Sequence, residues 1–302
     1  MASSNNYYQL NNNLRRETEE LSRLYGVRPS HRHSQVFLIE PKIYQKLVEI
    51  ANIQPSDEIL EIGPGWGFLT MTLAQRAKSV TAIELDPLLA EILPTRFLVA
   101  GFHNITVVHH DVLSVVINRP ELAKKPRLTN ISLPSSYKLV ANLPYNITSV
   151  CLKRFLSGEV ERPSLMVVMV QKEVAERLTA KPGQMSLLSL LSQYYSNPTY
   201  IVDVPAANFW PKPQVDSAIV SLQLKQPSLS VEDEKWLWRL ARIGFSSRRK
   251  MLKNNLSAGL QIGESAVINY LTQIQQNINC RAQDLSINQW IELVGIFKNN
   301  MI

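Results

Sequence analysis

Cysteine, histidine and long apolar runs are scarce in this chain of 302 residues, and each scarcity excludes something. Two cysteines, Cys151 and Cys280, cannot build a disulfide scaffold and suit a reducing compartment. His31/His33 and His109/His110 lack partners at ligand spacing, so no metal is expected. No apolar run approaches the roughly 18 residues of a membrane span; the longest candidate is Leu165–Val170. Residues 1–10 are polar and lack the apolar core of a signal peptide. No nucleophile-elbow motif supports a serine hydrolase. What is present is a mild excess of base, 32 Lys and Arg against 25 Asp and Glu, or a formal +7. That excess suits anionic partners but selects none. The expectation is a cytoplasmic monomer, away from membranes, with a core that needs no staple.

From residue 41 two periods alternate along the chain. Ile43, Leu47, Val48 and Ile50 fall at helical spacing, as do Leu69, Leu73 and Ala77. Asp57–Ile62, Ser79–Leu85, Ile105–His109, Tyr137–Ala141 and Leu165–Val170 read as strands. This alternation predicts an α/β fold, a Rossmann-like and mostly parallel sheet with helices on both faces. Tyr200–Val204 and Val215–Leu222 have no helix between them and are predicted as an antiparallel hairpin at one edge. Residues 117–136, with Pro120, Pro126 and Pro134, read as a long loop. Past Lys225 the strand signal stops, and 231–302 read as helices only. The expected domains are a flexible, partly helical arm over 1–33, the α/β domain over 34–225 and a small all-helical domain over 226–302.

Glu61-Ile62-Gly63-Pro64-Gly65-Trp66-Gly67 follows a predicted strand and opens a predicted helix. Glycines there allow a tight turn and bring backbone N–H groups close to a ligand. Roughly twenty residues on, Glu84 ends the next strand, where a carboxylate can bind both hydroxyls of a ribose. Asp111 ends the strand after that and can accept the exocyclic amine of an adenine. The spacing is the E-x-G-x-G-x-G form, which resembles S-adenosylmethionine methyltransferases rather than dinucleotide enzymes. The bland alternative is a plain glycine turn. Three acceptor positions at successive strand ends favour the cofactor, since such sheets bind ligands beyond their carboxyl ends.

Asn142-Leu143-Pro144-Tyr145 follows the fourth strand. The lone pair of adenine N6 is delocalised into its ring and is a poor nucleophile. Acceptors on its two N–H bonds, here Asn142 Oδ1 and the Leu143 carbonyl, would localise it. Pro144 fixes the backbone and Tyr145 offers a ring for a flipped base. Such catalysis is positioning plus complementary dipoles and needs neither metal nor thiol.

With these residues in order, the chain resembles the ribosomal RNA adenine N6,N6-dimethyltransferases, and most closely the KsgA type acting on small-subunit rRNA. The likeness runs from about Ser34 to Phe297. It also rests on Val170–Leu178, Phe209-Trp210-Pro211-Lys212-Pro213-Gln214-Val215-Asp216-Ser217-Ala218 and Phe245–Leu256. The resemblance implies a class I methyltransferase that dimethylates two adjacent adenines of small-subunit rRNA during ribosome biogenesis, with S-adenosyl-L-methionine as cofactor. It implies cofactor contacts at Gly63, Gly65, Glu84, Asp111 and Asn142, with Leu38 contributing its backbone. Asn142 would also meet the target amine, with Tyr145 and Phe209 as opposite walls of a base clamp. Phe209 alone would read as a core aromatic.

There are departures. The family's Gly-Gln-Asn/His-Phe-Leu motif here reads Ser34-Gln35-Val36-Phe37-Leu38. Val36 cannot hydrogen-bond through its side chain, an exchange expected to cost about 1 kcal/mol of cofactor affinity or somewhat more. His33-Ser34-Gln35 also resembles the large-subunit, macrolide-resistance branch, which keeps that substrate open. A non-catalytic RNA-binding assembly factor is the other alternative. Residues 239–256 carry Arg239, Arg242, Arg248, Arg249, Lys250 and Lys253 and no acid. Arg248, Arg249, Lys250 and Lys253 are the expected contacts to rRNA phosphates. Arg119, Lys124, Lys125 and Arg127 read equally as further contacts or as plain surface.

Overall fold

The computed structural model describes residues 10–11, 13–27, 36–124, 128–133 and 136–301. Ser34, Gln35, His31, His33, Lys125 and Arg127, and about half of the arm over 1–33, lie outside them. The chain forms two compact units, Met1–Ala175 with Thr199–Leu224, and Glu176–Pro198 with Lys225–Ile302.

The first unit opens with α1 (Leu14–Leu24), β1 (Phe37–Leu38) and α2 (Pro41–Ile50). Glu40 caps α2 by accepting from the Lys42 N–H at 3.3 Å, and Pro41 sits at its first position. There follow β2 (Glu58–Ile62), α3 (Phe68–Ala74), β3 (Ser79–Glu84), α4 (Pro87–Val99) and β4 (Ile105–His109). Asp86 caps α4 through the Leu88 and Leu89 N–H groups, at 2.9 and 3.3 Å. Next come β5 (Val115–Ile117), β6 (Thr129–Ile131), β7 (Lys138–Asn142), α5 (Thr148–Ser157), β8 (Leu165–Gln171) and the start of α6 (Lys172–Leu178).

The second unit takes the rest of α6 and then α7 (Leu187–Tyr195). β9 (Ser196–Val204) returns the chain to the first unit, which β10 (Phe209–Trp210) and β11 (Ser217–Leu224) complete.

The main sheet has the order β4-β3-β2-β7-β8-β11-β9. β4, β3, β2, β7 and β8 pair in parallel, and β11 pairs antiparallel with β8. β7 and β8 lie at the middle of this sheet, with interiors fully buried, which explains their unbroken apolar runs. The five parallel strands all end toward one edge, where the carboxyl-end loops gather.

Two expectations need correction. The arm is not loose throughout. Leu14 of α1 is fully buried, and Leu10, Leu21 and Val27 join the core of the first unit. Its mixed charges hid an apolar face of few residues. The long loop over 117–136 also contains structure. β5 and β6 form a separate parallel pair, with Val115 opposite Thr129, and Asn118 and Asn130 bond neighbouring backbone N–H groups. Three-residue strands are too short to show a period between prolines.

The second unit adds α8 (Val231–Gly244), α9 (Leu252–Leu260), α10 (Glu264–Gln273) and α11 (Ile287–Met301). α7, placed by sequence order in the α/β domain, belongs here for an aromatic reason. Tyr195 stacks on Trp238 of α8 at 5.9 Å, accepts from its indole N–H at 3.2 Å and donates to Glu234. Among the described residues no helix is long and apolar enough to cross a membrane.

Candidate active site

From β2 the chain turns through Gly63, Gly65 and Gly67, whose φ angles of 69°, 56° and 80° are left-handed. Space is short as well. A Cβ on Gly67 would lie 2.4 Å from the Phe97 ring, and one on Gly65 3.2 Å from Phe37. The Gly63 N–H donates to Ile83 and the Gly67 N–H to Pro64, each at 2.9 Å. The loop then enters α3, whose residues are all buried.

Glu84 ends β3, is 6% exposed and accepts from the Asp86 N–H at 2.8 Å. Burial pushes its carboxyl upward, while the N–H groups of Asp86, Gly65 and Leu85 pull it back. Glu61 is buried one residue before the end of β2. Burial pushes it up to about 8; the Thr70 hydroxyl opposes this and the Glu84 charge reinforces it. Its Oε2 has no hydrogen-bond partner among the described residues. Asp111 follows β4 and His110, and its Oδ1 accepts from the Leu113 N–H at 2.9 Å. The His110 Nε2 lies 2.6 Å from the Thr129 hydroxyl of β6.

Asn142 ends β7, opposite Met169 of β8. Its Oδ1 is buried without a hydrogen-bond partner among the described residues. The Leu143 N–H donates to the Met169 carbonyl at 3.0 Å. The Pro144 carbonyl accepts from the Ile147 N–H at 3.2 Å and the Thr148 hydroxyl at 2.9 Å. The backbone of the tetrapeptide is thus held at both ends. Tyr145 is half-buried, with its hydroxyl 2.8 Å from Ser217 Oγ of β11. Burial pushes this phenol up.

Gly63, Gly65, Glu84, Asp111, Asn142 and Tyr145 border one cavity of about 310 Å³. Val36 lines it too, as do Phe37 and His110, which sequence reasoning did not place there. Phe37 was legible only as part of a motif, and His110 was weighed only as a metal ligand. Two expected residues are not in the lining. Leu38 is 2% exposed, and its carbonyl accepts from the Tyr44 hydroxyl at 2.6 Å. Phe209, also 2% exposed, pairs with Leu38 across β1 and β10 and packs in the apolar core. Its surroundings are those of a core aromatic, and of the two expected clamp residues Tyr145 alone is among those that line the cavity.

In the second unit, Arg248, Arg249 and Lys250 lie exposed in the turn between α8 and α9. The buried Asn255 of α9 ties that turn by donating to the Gly244 and Ser247 carbonyls at 2.7 and 3.0 Å. Lys253 differs from its neighbours. It pairs with Glu264 of α10 at 3.0 Å and its side chain is only 15% exposed. The stretch is free of acid in sequence but not in space.

Both cysteines are buried free thiols, pushed up by burial to about 12 for Cys151 and about 11 for Cys280. Neither supplies a ready thiolate. Among the described residues no three His, Cys, Asp or Glu side chains cluster as a metal site.

A glycine loop after one parallel strand, acids at the next two strand ends and Asn-Leu-Pro-Tyr after β7 define a class I methyltransferase. The comparisons narrow the class. Residues 28–299 match the model of the ribosomal RNA adenine dimethylase family, and the chain belongs to that family. A ribosomal RNA small subunit methyltransferase A of Dehalococcoides mccartyi is 37% identical over 95% of this chain and 94% of its own length. One from Crocosphaera subtropica is 37% identical over 89% and 98%. Among solved structures, a dimethyladenosine transferase from Plasmodium falciparum superposes with a TM-score of 0.69, at 29% identity over 88% of this chain and 98% of that one. The 23S rRNA methyltransferase ErmE gives 0.69 at 26% identity, over 87% and 99%.

Proposed function

We propose that this protein transfers methyl groups from S-adenosyl-L-methionine to N6 of two adjacent adenines in small-subunit ribosomal RNA, as a cytoplasmic monomer acting during subunit assembly. The observation that carries the proposal is Asn142 Oδ1, an orphaned acceptor at a strand end on the same cavity as the glycine loop, Glu84 and Asp111. A buried acceptor without a donor costs stability unless a ligand satisfies it. The amide therefore fits an amine that arrives with the substrate.

The cavity suits the cofactor. Gly63 and Gly65 bring backbone to its wall, Glu84 stands where a ribose can be gripped, and Asp111 where an adenine amine can be accepted. When bound, the cofactor supplies an electrophilic methyl group. Asn142 and the Leu143 carbonyl accept the N6 hydrogens and concentrate the lone pair on nitrogen. Pro144 and Thr148 hold that acceptor pair in place. The methylated amine is acidic enough to lose its proton without a dedicated base, in keeping with the neutral Tyr145. Arg248, Arg249 and Lys250 grip RNA phosphates, with Lys253 contributing little while paired to Glu264. Phe209, paired with Leu38 across β1 and β10, acts through packing in the core.

The small-subunit reading follows the relatives at 37% identity, whose names specify that subunit. Methyl-labelled cofactor supplied with isolated small and large ribosomal subunits tests it. Label is expected in adenines of the small subunit alone. Label confined to the large subunit would overturn the substrate, and no label in either would favour the non-catalytic assembly factor.

A further inference from the structure

α1 lies before residue 28, where the match to the family model begins, yet it reaches the cofactor loop. The connection is Arg96 of α4. Its Nη2 pairs with Glu17 of α1 at 2.8 Å, with both side chains largely shielded, at 18% and 23% exposure. Its Nε donates to the Trp66 carbonyl, inside the glycine loop, at 3.0 Å. Its guanidinium sits 5.2 Å above the ring of Phe68, the first residue of α3. One planar cation thus fastens the loop, the start of its helix and α1 at once.

The loop needs such a fastening. Three left-handed glycines within five residues give its backbone many alternatives, and its Gly63 and Gly67 N–H groups are tied to the Ile83 carbonyl of β3 and to the Pro64 carbonyl. Trp66 is 1% exposed and lies between Tyr25, just past α1, and Phe37, each at 6.1 Å. Phe37 and Gly65 both line the cavity. Displacing Trp66 would therefore move the cavity wall and the Gly65 N–H that faces Glu84. Leu14 and Leu21 of α1, with Val27 just beyond it, pack in the apolar core of the first unit, and the ion pair adds a polar link from the helix to the loop.

We infer that Glu17 and Arg96 are positioning residues: the N-terminal helix acts through them to hold the Trp66 carbonyl, and so sets the affinity of the cofactor site. The inference rests on the proposed cofactor reading and extends it to a helix that precedes the residues matched by the family model.

Calorimetric titration of the full chain with S-adenosylhomocysteine tests it. Glu17→Gln and Arg96→Lys should each weaken binding about five-fold, the scale of one ordinary hydrogen bond. Turnover at saturating cofactor and the thermal midpoint should stay near wild type for Glu17→Gln. Glu19→Gln, which breaks the exposed Arg15–Glu19 pair at 3.0 Å on the same helix, is the control and should change nothing. Glu17→Asp should restore part of the affinity. Unchanged affinity in Glu17→Gln and Arg96→Lys, or an equal loss in Glu19→Gln, would overturn the inference while leaving the cofactor reading intact. A wild-type chain that binds no cofactor would overturn both.

Discussion

At the scale of single residues, the site contrasts two carboxyls that share a strand-end region but not a role. Glu84 faces the cavity and receives backbone N–H groups. Glu61 is 1% exposed, with its proton held up to about 8. Between the ordinary value of 4.5 and about 8, the unfolded chain has released the Glu61 proton while the folded chain keeps it. Raising pH through that window therefore favours unfolding, by up to about 1.4 kcal/mol per pH unit. Glu61→Gln should flatten this dependence and leave the protein relatively more stable at pH 8 than at pH 5. Urea midpoints of both proteins measured from pH 5 to 8 would show it; parallel curves would mean that Glu61 is ionised in the fold. A glutamate in E-x-G-x-G-x-G was legible in the sequence, but its burial and protonation were not, because both depend on what packs around β2.

At the scale of elements, legibility followed length. β2, β3, β4, β7 and β8 were readable within one or two residues; β7 and β8 are buried apolar runs, while β4, at the sheet edge with no buried residue, still carries the β-branched run Ile105–Val108. β5 and β6 were not, being three residues each and set among prolines. The basic stretch was readable as charge, but the pairing of Lys253 with an acid of a different helix was not. This difference has a measurable consequence. Arg248→Ala and Arg249→Ala should each flatten the salt dependence of rRNA binding by somewhat under one unit in log K against log salt. Lys253→Ala should change that slope less. Fluorescence titrations at several salt concentrations decide the point, and an equal effect at all three positions would show that Lys253 leaves Glu264 to meet phosphate. The turn that presents Arg248 and Arg249 depends on Asn255, whose amide in the sequence was only one more polar residue in a motif.

At the scale of the whole molecule, the chain divides its work between an α/β unit that builds the cavity and a helical unit that carries the exposed basic turn. The order of site residues along the chain made the α/β unit legible, because each follows a parallel strand and parallel strands end at one edge. The contribution of Tyr194, Tyr195 and Trp238 to the helical unit was not, since aromatic packing between distant segments leaves no local period. The central claim is that Asn142 supplies the acceptor that activates adenine N6. Single-turnover methyl transfer by Asn142→Ala to small ribosomal subunits, with cofactor affinity and thermal midpoint measured on the same sample, tests it most directly. The account predicts a folded protein that still binds cofactor, though more weakly, and transfers methyl at least a hundred-fold more slowly, about 3 kcal/mol of transition-state stabilisation. Transfer at the wild-type rate by a folded, cofactor-loaded Asn142→Ala protein would contradict it.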